Sequence, residues 1–260
     1  MMKSILISVV ALLLLAPQLN AQVALTNVSE SDLESIVKEV GANFHQISLV
    51  KANSSENPYE IGLISGGTNS KTLNQLAGGS TLSSIPHAAI FGAIFFNPGL
   101  TFEASYLPTI KAQDVKLTSG KVGLKWTANH FFQTLPVNIS VMGFLGTSQV
   151  TWQQTIATVL ADMKYSQNFM GANLQVSKNF MIFEPYGVLG YSNNSGEISA
   201  SGTASIFNTS FTASNTADKK VSGLNYAAGL IVNQSNLSYG LEIGSYYGVQ
   251  VNSLKMSALF

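Results

Sequence analysis

A chain of 260 residues with 13 basic and 13 acidic side chains, no cysteine and 46% hydrophobic residues has room for one large domain or one barrel. Zero net charge argues against the basic patch of a nucleic-acid binder, and the missing cysteines exclude a disulfide-stapled framework. Only 10% of residues are charged, yet past the N-terminus no apolar run reaches the ~20 residues of a spanning helix.

The first element is "MMKSILISVVALLLLAPQLNAQ". Lys3 supplies a positive start, Ile5 to Leu15 an apolar run, and Ala21 a small residue at a plausible cleavage point. Residues 1–21 therefore read as a signal peptide that routes the chain out of the cytoplasm. Within the following segment, 22–57, "SESDLESIVKEVGANF" predicts an amphipathic helix over residues 30–45. Ser29 or Ser31 can cap it, with Asp32 or Glu34 three residues on. Leu33, Ile36, Val37, Val40 and Phe44 form its apolar stripe. Such a helix can plug a barrel mouth, lie on a membrane surface, mediate subunit contact or cover the end of a sheet.

From Tyr59 to the end the period becomes two. In "GLTFEASYLP", Leu100, Phe102, Ala104 and Tyr106 oppose Thr101, Glu103 and Ser105. In "GKVGLKWTA", Val122, Leu124 and Trp126 oppose Lys121, Gly123 and Lys125. "PVNISVMGFL" and "LSYGLEIGSYYG" repeat the pattern. This alternation predicts antiparallel strands with one apolar and one polar face. Ten are expected, near 58–66, 85–96, 99–107, 116–127, 136–146, 165–178, 181–192, 220–232, 237–248 and 252–260, with eight or twelve as alternatives. Short turns at 97–99, 128–136, 178–180 and 234–236 alternate with longer connections at 66–84, 108–116, 147–164 and 193–219.

Strand length decides which solvent meets the apolar face. Sandwich strands average about five or six residues, whereas a tilted strand crossing a bilayer needs ~9–11. Inside hydrocarbon every backbone group must be paired, so a spanning sheet closes on itself. The expected fold is an all-β, antiparallel, up-and-down transmembrane barrel over 58–260. On the signal region, the alternating segments and the terminal pattern Leu254-x-Met256-x-Ala258-x-Phe260, the chain resembles bacterial outer-membrane β-barrel proteins. That resemblance implies an outer-membrane location, contact with outer-membrane lipids, and recognition of Leu254, Met256, Ala258 and Phe260 by the barrel-assembly machinery. Asn252 and Leu259 fit the alternation imperfectly. A fainter likeness to porin-like barrels of predatory bacteria, which form rings enclosing lipid, implies a homo-oligomer.

Lys or Arg facing mid-bilayer lipid would cost about 2–4 kcal/mol. Glu60, Glu103, Lys121, Lys125, Glu242 and Lys255 are accordingly expected inside, as a lumen charge network with Glu103 pairing Lys121. Tyr106, Trp126, Tyr239 and Phe260 are expected at the membrane interfaces. "HAAIFGAIFF" is apolar on both faces, which predicts packing against the helix inside or against a neighbouring subunit.

Catalytic signals are sparse. His87 near the external rim, with Asp114, Asp162 or Asp218, could form a surface hydrolase, and His130 near one of many serines a deacylase, but no motif joins them. No spacing indicates a metal or cofactor. The reading is a barrel with a structural, lipid-organising or oligomer-forming role. The alternatives are a small porin, the His87 hydrolase, and a soluble exported barrel or sandwich binding a hydrophobic ligand.

Overall fold

The computed structural model describes residues 29–45, 50–52, 57–72, 84–112, 115–132, 135–156, 159–206 and 209–260. The signal region lies outside them. Helix α1 spans Glu30–Asn43. Ten strands follow: β1 (Tyr59–Asn69), β2 (Ser84–Phe96), β3 (Leu100–Ala112), β4 (Val115–Thr127), β5 (Asn138–Ile156), β6 (Val159–Ser177), β7 (Phe183–Ile206), β8 (Thr209–Gln234), β9 (Leu237–Tyr246) and β10 (Val249–Leu259). Each pairs antiparallel with its sequence neighbours, and β10 pairs with β1, which closes the barrel.

Closure removes both sheet edges within the barrel. At the seam, Tyr59 and Phe260 exchange backbone hydrogen bonds of 2.9 and 3.3 Å. The ends of the sheet therefore lie together, on the side of the short turns. The opposite, loop side is uneven. β9 has 10 residues and turns into β10 through Tyr247 and Gly248 alone, both at positive φ (55° and 82°). β5 and β6 run 19 residues each, β7 24 and β8 26. The stretches 147–164 and 193–219, expected as loops, are thus continuations of hairpins that rise past the barrel. β8 pairs with β9 only from Asn225 to Gln234, so among the described residues 209–224 have no strand neighbour on that side. The Ser-, Thr- and Asn-rich sequence of 209–219 has no regular apolar face, which is why alternation misses that part.

The expected facing holds throughout the barrel. Phe102, Tyr106, Leu124, Trp126, Val141, Leu145, Leu241, Ile243, Leu254 and Phe260 point outward and are exposed. Among the described residues, outward charges begin only on the loop side, with Lys116 of β4, Lys164 of β6, Glu197 of β7 and Lys220 of β8, and the outward positions between these and the short turns carry none. Ten tilted residues, the length of β9, cover about 25 Å, the height of the apolar band on outer-membrane barrels. Tyr106, Trp126, Tyr239 and Phe260 all lie on this surface, and Tyr59, Phe96, Phe131, Phe180 and Phe183 join the aromatic set at the turn side.

The interior is filled. Leu33, Ile36, Val37 and Val40 of α1 belong to one buried apolar cluster with Phe91, Phe95, Phe144, Phe169 and Tyr246 of the wall. The inward face of "HAAIFGAIFF" is accounted for by this cluster, while Ile90 and Phe96 of the other face stay exposed.

Candidate functional site

The feature that sets this barrel apart is the segment inside it. Ser29 caps α1: its hydroxyl accepts from the Asp32 amide at 3.2 Å, and the Asp32 carboxylate accepts from the Ser29 amide at 3.1 Å. This reciprocal pair satisfies two of the free amides of a helix start. Glu30 at the same end pairs with Lys219 of the raised part of β8 at 2.6 Å. The capped end therefore sits at the loop-side mouth.

From there the segment descends, and lumen side chains hold its backbone carbonyls at successive heights. Asn194 Nδ2 donates to Val37 O at 3.0 Å and Gln167 Nε2 to Val40 O at 3.5 Å. Lys121 Nζ donates to His45 O at 2.9 Å. Lys125 Nζ and Gln175 Nε2 donate to Val50 O at 3.1 and 3.3 Å. Thr127 Oγ1 donates to Ala52 O at 2.8 Å. Carbonyls past the helix end have no intrahelical donor, so wall donors take that part.

Glu60, Glu103, Lys121, Lys125, Glu242 and Lys255 stand at inward positions of their strands, and the pairing differs from the expected one. Glu103 pairs with Lys125 at 2.6 Å, in place of Lys121. In register Glu103 lies beside Gly123, so Lys121 and Lys125 are equidistant along β4. Lys125 takes the carboxylate, while Lys121 reaches the lumen segment. Lys255 pairs with Glu60 at 2.6 Å, and Ser257 Oγ donates to the same carboxylate at 2.6 Å. Glu242 accepts from Tyr186 and Tyr246 at 2.8 and 2.6 Å. Sequence reasoning overlooked buried Glu184, which accepts from Ser177 at 2.6 Å; the period-two phase of "FEPYGV" would have placed it inside. It also overlooked Glu39 on α1, which accepts from Ser70 Oγ and the Lys71 and Thr72 amides at 2.8, 3.0 and 2.8 Å.

His87 is turned inward. In place of an aspartate it meets Asn43 Oδ1 through Nδ1 and Ser253 Oγ through Nε2, each at 3.1 Å. Asn43 Nδ2 donates to Pro86 O at 3.4 Å, which fixes the amide with its oxygen toward the ring. Nδ1 therefore carries the proton, and Nε2 accepts from Ser253. His87 and Ser253 lie on β2 and β10, on either side of Gly66 of β1. Gly66 permits the span, since a Cβ there would stand 2.6 Å from His87 Nε2. The row Ser253–His87–Asn43 has the connectivity of a nucleophile, base and orienting group. Ser253 and Asn43 are each only 1% exposed, so the row ties the end of α1 to the wall. Of the expected acids, Asp162 accepts from Gln153 at 2.8 Å, Asp218 is exposed, and Asp114 lies outside the described residues. The His130 side chain also lies outside them.

His45, just past α1, is fully buried among Phe144, Tyr246 and Tyr247, with ring centroids 4.8, 4.3 and 6.0 Å away. Among the described residues no group of His, Asp and Glu is arranged to hold a metal ion.

Three solved structures illustrate what this chain is similar to. The translocator domain of the autotransporter NalP from Neisseria meningitidis has 11% identity and a TM-score of 0.45, over 91% of this chain and 100% of that one. The outer-membrane protease OmpT from Escherichia coli has 10% identity and a TM-score of 0.44, over 81% and 99%. The attachment invasion locus protein Ail of Yersinia pestis has 14% identity and a TM-score of 0.28, over 77% and 94%. At such low similarity they add nothing to the strand pairing already described. Comparison with curated proteins gives no match. Residues 5–246 match the model of a family of unknown function, DUF6588, and the chain belongs to that family.

Proposed function

We propose that this protein is an integral outer-membrane barrel, stoppered by its own N-terminal segment, that works as a structural and lipid-organising element and not as a conduit or catalyst. The observation that carries this reading is the division of the wall: an apolar belt free of charges outside, and inside a set of charges spent on one another, on wall hydroxyls or on the segment from α1 to Ala52. A charge-free belt suits acyl chains, and short turns on the side of Phe260 suit the periplasm. Shallow outward grooves floored by Gly92, Ala104 and Gly120 and by Ser65 and Gly240 suit seated acyl chains. The terminal row Leu254, Met256, Ala258 and Phe260 faces outward along β10, open to the assembly machinery before the seam closes. Lipids, that machinery and further copies of the chain are the partners this reading implies.

The test is reconstitution. Purified protein should enter lipid bilayers, migrate in the heat-sensitive manner of a closed barrel, and pass no steady ionic current. Steady conductance by the wild type would replace this reading with a porin.

A second reading is favoured by one observation, the Ser253–His87–Asn43 row. It is acyl-transfer chemistry on an ester admitted to Ser253 while Asn43, the last residue of α1, keeps its hold on His87.

A further inference from the structure

We infer that the polypeptide is threaded through its own barrel, so that the start of α1 is displayed on the outer face of the membrane while Phe260 stays on the periplasmic face. This rests on the outer-membrane reading only for naming the two faces; the threading itself is geometric. An even number of antiparallel strands puts Tyr59 and Phe260 on one side, where they are hydrogen-bonded to each other. A segment preceding Tyr59 would by default remain there too. It does not.

Glu30 meets Lys219, which lies on the part of β8 beyond its last pairing with β9 at Asn225–Tyr246. The later anchors then fall in strict order down one strand. His45, Val50 and Ala52 are held by Lys121, Lys125 and Thr127 of β4, and Thr127 is that strand's last residue on the turn side. The 14 residues of α1 account for about 21 Å of the descent at 1.5 Å per residue. The path runs one way, from loop side to turn side, and its polarity is fixed by the chain.

Two consequences follow for what this protein can do. The end presented outside is acidic and polar, with Glu30, Ser31, Asp32 and Glu34 together. Anything joined ahead of Ser29 is carried to the outer face without a separate route. The barrel is then a display anchor, and the lumen contacts are what keep the displayed end from being withdrawn.

The absence of cysteine makes the test clean. Single-cysteine variants Ser31→Cys, Asp218→Cys and Asn236→Cys, all at exposed positions, are treated on intact cells with a membrane-impermeant maleimide, then again after the outer membrane is permeabilised. Threading predicts labelling of Ser31→Cys and Asp218→Cys on intact cells, and of Asn236→Cys only after permeabilisation. Labelling of Asp218→Cys but not Ser31→Cys on intact cells overturns the threading and leaves the barrel's orientation standing. Failure of Asp218→Cys to label on intact cells overturns the location and the display together. Glu30→Cys, at the same mouth, decides the matter if Ser31→Cys does not assemble.

Discussion

Lys255 of the last strand reaches Glu60 of the first at 2.6 Å, both fully buried, with the ammonium 5.6 Å from the centre of the Phe91 ring. The pair sits on the seam where β10 closes the barrel against β1. Taking one partner away leaves a charge inside the wall. Glu60→Gln or Lys255→Met should each destabilise the barrel by about 3–5 kcal/mol, and the double replacement should recover much of that loss. Denaturant unfolding in detergent, followed by the loss of heat-sensitive migration, measures it. Additive losses in the double variant would refute the coupling.

The lumen segment should loosen when its carbonyl anchors are removed. Lys121→Met and Thr127→Val spare both buried ion pairs and delete the bonds to His45 O and Ala52 O. A bond from a charged donor contributes about 1.5–3 kcal/mol and a neutral one about 1. The double variant should therefore show brief current openings in planar bilayers where the wild type is silent. A variant as quiet as the wild type would mean that the apolar stripe of α1 suffices as the stopper.

Gly66 is the position on which the tie between α1 and the wall depends. A methyl group there would run into the Asn252 carbonyl of β10 and intrude on His87. Gly66→Ala should cost about 1–3 kcal/mol as overpacking and should free the His87 ring from Ser253, visible as a changed imidazole signal in NMR. An unaltered signal would show that β1 shifts to absorb the methyl.

Ser253 should be inert to a fluorophosphonate in the folded wild type, because α1 covers it. Specific labelling, lost in His87→Ala and in Asn43→Ala, would establish the acyl-transfer reading and remove the purely structural one.

The helix start carries a pH dependence whose sign follows from its caps. The Ser29 hydroxyl and amide hold the Asp32 carboxyl below its ordinary 3.8, and Lys219 does the same for Glu30. A carboxyl depressed in the folded state contributes stability above its unfolded value, lost as pH falls through the folded one. Protection of the first-turn amides of α1, taken relative to the intrinsic exchange rate at each pH, should therefore fall as pH drops below 3.8, and Asp32→Asn should flatten that response. Equal responses in both proteins would mean the cap is not closed in solution.

Much of this architecture was legible because period two reads directly as facing. Phe102 outward and Glu103 inward follow from sequence neighbours alone, and ten such runs gave ten strands. The raised parts of β7 and β8 were hidden because runs such as Asn193 to Ser195 and Ser214 to Thr216 are polar at successive positions, whereas in β6 the buried Ala161, Met163 and Tyr165 do alternate with Asp162 and Lys164. The stripe of α1 announced burial but not direction. Its path is written in carbonyls, which every residue has. Nor could spacing join Asn43, His87 and Ser253, because barrel closure brings them together from three distant stretches. The Glu103 partner was missed by one turn of the pleat: two lysines flanked one carboxylate, and the choice fell to what else each could reach.

Among the described residues, the upper reach of β8 has no strand partner on the β9 side, and such an edge is a template on which a foreign hairpin can grow. Lys219 and Lys220 stand on that stretch, and lysine is a common deterrent to such growth. Lys219 also moors Glu30. One ammonium thus performs two guard duties, and neutralising it would slacken the helix and invite molecules to zip into filaments above the bilayer.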